Sequence, residues 1–510
     1  MINIRKRYNM KKIDKKILKT CFISTLIFII IAHGYCYFNL NFSHDSMRVW
    51  HWGNYGDSVQ LGRFLIPVYI LIRGKYYSPL IVGVLSLLFI ALSVYLTVDL
   101  LKLKDKASTF LISGVYTTCS TITLLNATYI NYTDMYCLSI LLYILGVYIL
   151  FKTKKLYRFL SIIPFVCATG IYQSYIGIPI GLSIIIIINK LINNKNTKET
   201  INDGIVTIIS ILISLLLYSV LYKLILRIMD LDAIKSYNGM VGVGQYGSLE
   251  NIKYFFNETY KRFFDYFINP PIFHKTIIKI TNILLLIIAI IQTIIKIILK
   301  KVNIKNILLI IILFAILPFA LNIICFISKG FEHTLTVFAI NLGYILFISL
   351  NNIKTNSKID KKLYFCTIIL IGIFICCNIL YSNQSYLKKQ LEFDNTLTTM
   401  NRIVMRIEEI DNYEVGVTPV LFLGDINNGP LSMKRNDFDY NAVGMFWNFS
   451  ITYYNTYRMY FDNYLAYPIN IVDENIIEKN EMEKEINTMT CFPTKNSIKM
   501  INGVVIVKLS

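Results

Sequence analysis

Apolar runs of roughly 18 residues or more, each long enough to cross a ~30 Å hydrocarbon core as a helix, recur along the first three quarters of the sequence. A soluble fold cannot bury so many of them, and the composition agrees: 55% of residues are hydrophobic and the mean hydropathy is +0.54. The pattern predicts an all-α polytopic membrane bundle of about eleven spans. They fall near 17–39, 79–101, 107–125, 135–151, 157–173, 175–192, 204–226, 277–299, 305–326, 333–350 and 363–381. "GIYQSYIGIP" offers only a Gly/Pro-marked aromatic turn between the fifth and sixth, so that pair reads either as two crossings or as broken or re-entrant helices lining a cavity.

Short loops rich in lysine and arginine stay in the cytoplasm, which sets the orientation. "RKRYNMKKIDKK" precedes the first span, and the alternate connections "KLKDK", "KTKKLYR", "NKLINNKNTK", "KKVNIK" and "NNIKTNSKIDKK" are basic too. "NATYINYTD" (126–134) and "YQSY" (172–175) carry no cation. The N-terminus is therefore expected in the cytoplasm, and an odd number of spans puts 382–510 outside, on the face of a bacterial plasma membrane. The net charge of +20 is mainly topological, its cations lying beside an anionic leaflet. No soluble segment carries a basic stripe interleaved with aromatics, so nucleic acid is not an expected partner. The first apolar run, of about 23 residues and without a small-residue cleavage site, reads as a retained anchor. Nine of the ten cysteines, Cys21 through Cys377, fall in or beside spans, where they act as small hydrophobes. Neither a disulfide framework nor a Cys/His metal cluster follows from their spacing.

Two outer connections are long. The first, 40–78, contains "FSHDSMRVWHWGNYGDSVQLGRFL" (42–65). The second, 227–276, combines a glycine-rich half (Gly239, Gly242, Gly244, Gly247), able to close over a ligand, with "YFFNETYKRFFDYF", whose aromatic spacing predicts an amphipathic interfacial helix. Two domains are expected: 1–381 in the membrane with these loops, and 382–510 as a small extracytoplasmic α/β domain of ~125 residues. In the latter, 386–410 and 450–465 read as helices, "TPVLFLGDI" (418–426) as a strand, and "IKMINGVVIVKLS" as two strands joined by an Asn-Gly turn.

An ionisable residue at the membrane face is costly unless it works or is paired, so the outer acids are candidates for chemistry. These are Asp45 and Asp57 in the first loop and Asp134 at the end of "INYTD". A carboxylate beside apolar walls is suited to take a proton from an attacking sugar hydroxyl. Arg48 and Arg63 present planar forks to a phosphate and to charge developing on a departing phosphate oxygen. Each has an ordinary alternative. Trp50 and Trp52 are typical interfacial anchors, an Asp45–Arg48 pair is an ordinary loop ion pair, His44 and His51 are a weak metal signature, and Asp57 suits a turn around Gly53 and Gly56.

Taken together, "HDSM" and "LGRFL" in a long first outer loop, the "NYTD" turn, "GIYQSY", and "TPVLFLGDI" in the tail resemble the GtrII-like glucosyltransferases, membrane enzymes of GT-C architecture. The resemblance implies glycosyl transfer on the outer face, from a polyprenyl-phosphate-linked sugar to a cell-surface polysaccharide. It implies the base at Asp45, a second catalytic acid at Asp134, and Arg63 as part of a Gly-Arg element. It also implies sugar contacts at Tyr172 and Gln173, and donor phosphate and sugar contacts at Lys329, Glu332 and His333 in "SKGFEH". That last stretch departs from a pattern in which an arginine is expected.

The mechanism so implied is a single inverting displacement, with Asp45 deprotonating the acceptor and the lipid phosphate leaving. A nucleotide is not required, and the sequence holds no P-loop. A divalent cation, Mg or Mn, bridging Asp45 or Asp134 to the phosphate is left open. Rival classes are a lipid-oligosaccharide flippase, which would carry ionisable residues deep in its spans, a polysaccharide polymerase, and a scaffold acting through 382–510.

Overall fold

The structure, a computed structural model, describes residues 14–39, 56–234, 236–237, 240–241, 246–270, 274–355, 357–424, 429–431, 458, 460–462, 464–473 and 479–510. The chain forms two compact units, one of residues 1–38, 55–126 and 132–383, the other of 39–54, 127–131 and 384–510.

The first unit is mainly helical. Helix α1 (Lys15–Phe38) starts where the Asp14 carboxylate accepts from the amides of Lys16 and Ile17. Two short helices, α2 (Gly56–Gln60) and α3 (Ile66–Arg73), lead to α4 (Pro79–Leu100), which opens on a proline. The span expected at 107–125 is broken: α5 (Lys106–Thr118), capped by Asp105, and α6 (Ser120–Thr128) meet at Cys119 with a 40° bend. Helix α7 (Ile130–Lys152) follows, then a 3-10 turn (Lys155–Ser161) and α8 (Ile162–Ile171). A further 3-10 turn (Gln173–Ile176) runs into α9 (Gly177–Ile192). After α10 (Thr197–Ile228) comes a small antiparallel pair, β1 (Ser236–Tyr237) and β2 (Met240–Val241). The aromatic segment forms α11 (Leu249–Ile268), capped by Ser248, and the remaining helices are α12 (Lys275–Leu299), α13 (Ile304–Leu321) and α14 (Ile323–Ile327). A 3-10 turn (Phe338–Asn341) leads into α15 (Leu342–Asn351), and α16 (Lys358–Glu408) continues from the first unit into the second.

Among the described residues, eight helices are long and apolar enough to cross a membrane, or nine if the bent α5–α6 pair is one crossing. Two of the eleven expected segments are shorter. In 157–173 the chain winds as a 3-10 turn before α8, and Tyr172 is extended at φ −154°, so the helix proper is only ten residues, ~15 Å long. In 333–350 the first residues are held in a turn, where the Thr336 hydroxyl donates to the His333 carbonyl at 2.8 Å and so competes with helix formation.

The acids at helix ends are paired across the bundle. Asp99 of α4 meets Lys152 of α7 at 2.6 Å, and Asp203 of α10 meets both Arg158 at 2.9 Å and Lys190 of α9 at 2.5 Å. Buried Lys296 of α12 binds Asp360 of α16 at 2.6 Å, and Thr355 also donates to that carboxylate. A charge taken out of water needs such a partner. The sequence reading places all these ends on the cytoplasmic side.

In the second unit a four-stranded sheet has the order β4–β3–β6–β5, built from β3 (Pro419–Leu423), β4 (Asn470–Ile471), β5 (Ile498–Ile501) and β6 (Val504–Lys508). Strand β3 runs parallel to β4 and β6, and β5–β6 is antiparallel. The β5–β6 turn is the expected Asn502-Gly503, with φ of 50° and 77°, the left-handed pair that tight hairpins use. Alternate residues pack each face: Val420, Phe422, Val505 and Val507 against Met400, Ile403 and Ile407 of α16, and Leu421 and Ile506 against Met482 and Met489 beside α17 (Lys479–Thr488).

Close helix packing gives a test. A Cβ on Gly146 of α7 would run into the Phe165 ring of α8, whereas one on Gly372 of α16 would meet nothing within 4 Å. Gly146→Ala is expected to cost ~1–3 kcal/mol by overpacking, and Gly372→Ala to be neutral or stabilising by up to ~1 kcal/mol through helix propensity. Thermal unfolding of the detergent-purified chain compares the two, and equal melting points would contradict the packing.

Candidate functional site

Within the first loop, the segment from α2 to α3 is pinned by polar clamps. Gly62 has φ +83°, and a Cβ there would strike the Tyr218 hydroxyl, so only glycine fits. Gln173 donates to the Leu61 carbonyl at 2.8 Å, while Tyr218 and Tyr222 of α10 donate to the carbonyls of Gly62 and Gln60 at 3.0 and 2.6 Å. The turn delivers Arg63 to an aromatic wall. Its guanidinium donates to the Tyr136 hydroxyl at 3.1 Å and lies 5.0 Å from the centre of the Tyr172 ring. Tyr136 and Tyr172 stack with centroids 4.0 Å apart. Such a wall holds a planar cation by cation–π attraction without neutralising it.

Helix α3 begins three residues later. Tyr69 and Arg73, one turn apart on it, both reach the fully buried carboxylate of Asp134 on α7: Tyr69 Oη donates to Oδ2 at 2.9 Å, and an Arg73 terminal nitrogen donates to Oδ1 at 2.9 Å. The Arg73 side chain is 2% exposed. Burial first, and then the neighbouring carboxylate, push the Tyr69 phenol well up, so it stays a donor. Asp134 and Arg73 thus form a buried ion pair, ten residues from the Arg63 guanidinium on the aromatic wall.

Lys329, Glu332 and His333 sit in a different turn, between α14 and Phe338. Lys329 and Gly330 both have positive φ, 53° and 84°, and close the end of α14. Glu332 accepts from the Asn322 amide at 2.9 Å, and the His333 Nδ1 accepts from the Leu335 amide at 3.2 Å. Burial raises the Glu332 carboxyl above its ordinary value, with Asn322 and Arg262 opposing.

Of the residues singled out in the sequence, Asp134, Arg63, Tyr172 and Gln173 come together around α3, with Gln173 holding the backbone there. Asp57 is exposed in the first turn of α2. Asp45 and Arg48, with His44, His51, Trp50 and Trp52, lie outside the described residues. Tyr69, Arg73, Tyr136, Tyr218 and Tyr222 went unnoticed in the sequence. The cue for Tyr69 and Arg73 was an arginine and a tyrosine four residues apart in the otherwise apolar "IPVYILIR". Among the described residues, no three His, Cys, Asp or Glu gather as metal ligands.

A largely helical chain with eight candidate membrane spans and a buried polar cluster under a short helix belongs with multi-pass membrane proteins. The family model described as Glucosyl transferase GtrII matches residues 34–350, more than half of the chain, so the protein belongs to that family of glucosyltransferases. A sugar donor and a sugar acceptor follow in general from that membership. No curated protein and no solved structure matches the chain. Every candidate residue from Asp45 to His333 lies inside the match, and "TPVLFLGDI" lies beyond it.

The Glu332 environment sets a pH test. A carboxyl whose pKa is higher folded than unfolded contributes stability that is complete below the ordinary glutamate range and is lost as pH rises through the folded value. Glu332→Gln, which mimics the protonated form, is expected to raise the melting temperature at pH 7–8 relative to wild type and to converge with it near pH 4. A variant that is less stable at pH 7–8 than wild type would show that the charged form is favoured instead.

Proposed function

We propose that the protein transfers a hexose, glucose by family, from a polyprenyl-phosphate donor to a cell-surface polysaccharide on the extracytoplasmic face of a bacterial plasma membrane. The architecture is GT-C-like, with about eleven crossings, the N-terminus in the cytoplasm, and 382–510 outside as an α/β domain. The donor's isoprenoid tail lies among the helices and its phosphate meets Arg63. The observation that carries the reading is that guanidinium, set over the Tyr172 ring and bonded to the Tyr136 hydroxyl inside the family-matched region.

In the reaction, the Asp45 carboxylate takes the proton of the acceptor hydroxyl as its oxygen bonds to the anomeric carbon. The bond from that carbon to the phosphate oxygen breaks in the same step, and the electron pair leaves on the phosphate. Arg63 stabilises that charge. One displacement inverts the anomeric configuration. Tyr172 supplies a ring face beside the sugar. Lys329, Glu332 and His333 form a second polar group for the sugar hydroxyls, and Arg48 assists at the phosphate.

Membranes containing the full chain are expected to move label from polyprenyl-phosphate glucose to surface polymer, releasing free lipid phosphate. Asp45→Asn is expected to slow transfer by about 10²–10⁴-fold with protein level unchanged. A wild-type rate in Asp45→Asn would overturn the base assignment, and lipid movement without sugar–phosphate cleavage would replace the reading with a flippase.

A further inference from the structure

Helix α3 is amphipathic in the inverted sense. Its outward residues are apolar and bare, with Val68 51%, Leu71 86% and Ile72 83% exposed, while Tyr69 and Arg73 point inward to Asp134. Eight residues span only ~12 Å, too little to cross a bilayer. An apolar outer face and a polar inner face suit a helix set in lipid against a protein wall. Hydrophobic burial against the bundle cannot hold such a helix well, since lipid solvates its outer face equally. Specific polar contacts do that work, and here they include the two bonds to Asp134.

We propose that Asp134, Arg73 and Tyr69 are positioning residues: they lock α3 against α7 and thereby fix Arg63, three residues before the helix, on the Tyr136–Tyr172 wall, Asp134 itself taking no part in proton transfer. Both carboxylate oxygens are already occupied by donors, and the side chain is fully buried. A group so buried, with α3 bonded across it, is not open to an acceptor hydroxyl unless α3 is first released. The connection to Arg63 runs through backbone: the Ile66 amide bonds the Arg63 carbonyl at 3.1 Å, and the Leu65 amide bonds the Gly170 carbonyl at 3.0 Å, two residues before Tyr172. The inference rests on the transferase reading for its kinetic arm only.

The test is a double-mutant cycle on the full chain, exploiting the fact that a buried ion pair tolerates joint replacement by apolar groups far better than loss of one partner. Asp134→Leu and Arg73→Met each remove one side of this buried pair and are expected to lower kcat/KM by more than about tenfold, chiefly by raising the donor KM. The double variant is expected to recover most of the loss, and Arg73→Lys to retain more activity than Arg73→Met. A double variant that melts like wild type yet is as inactive as Asp134→Leu would overturn the proposal. As a second measure that does not need the double variant to fold, Asp134→Asn is expected to keep the shape of the kcat–pH profile. Loss of one limb would make Asp134 a catalytic acid or base. If wild type transfers no sugar, the glucosyltransferase reading fails alone: recovery of melting temperature in the double variant still supports the lock, and additive destabilisation refutes it.

Discussion

In an apolar surrounding every charge and every backbone polar group must find its partner within the protein, because no water is at hand to do so. The Asp134–Arg73 pair is where this constraint is most consequential. Both side chains are almost wholly out of solvent, so parting them is costly, and α3 cannot leave α7 without breaking that pair in a low dielectric. The same rule operates at Lys296–Asp360 and at Asp203 with its two cations, which tie helix ends far along the chain from one another.

From that constraint the local design follows. The segment 56–73 is anchored at both ends by polar bonds, to Gln173, Tyr218 and Tyr222 at the turn and to Asp134 at the end of α3. Between the anchors lies Arg63, whose partners include aromatic faces and a phenol. A cation held by rings keeps its charge for an anionic ligand, whereas one held by an acid gives it up.

How much of this was legible varied with the kind of signal. Long apolar runs are read from composition alone, and α1, α4, α7, α10, α12, α13 and the first part of α16 all fall where such runs were marked. The 157–173 and 333–350 segments came out short because Tyr172 and the His333–Thr336 turn impose backbone geometry that hydropathy does not see. The Asn502-Gly503 hairpin was legible because its left-handed backbone requires those residue types. In the site, Asp134, Arg63, Tyr172 and Gln173 were noticed singly, but their partners were not. Arg73 and Tyr69 lie 61 and 65 positions from Asp134 in the chain, and nothing in a local window announces which acid a buried arginine will meet.

By itself, then, the sequence determined that the chain is a helical, multi-segment apolar protein, where most of its long helices run, and which residue types are chemically able to handle a sugar phosphate. Hydrophobic periodicity, charge placement and turn chemistry are local properties, so one strand of text carries them. Only the tertiary structure decided that Asp134 is engaged by Arg73 and Tyr69, that Gln173 and Tyr218 hold the backbone at Gly62, and that Arg63 lies on the Tyr136–Tyr172 wall. Pairing in a low-dielectric interior depends on which helices become neighbours and at what depth, and that is settled by the packing of the whole bundle.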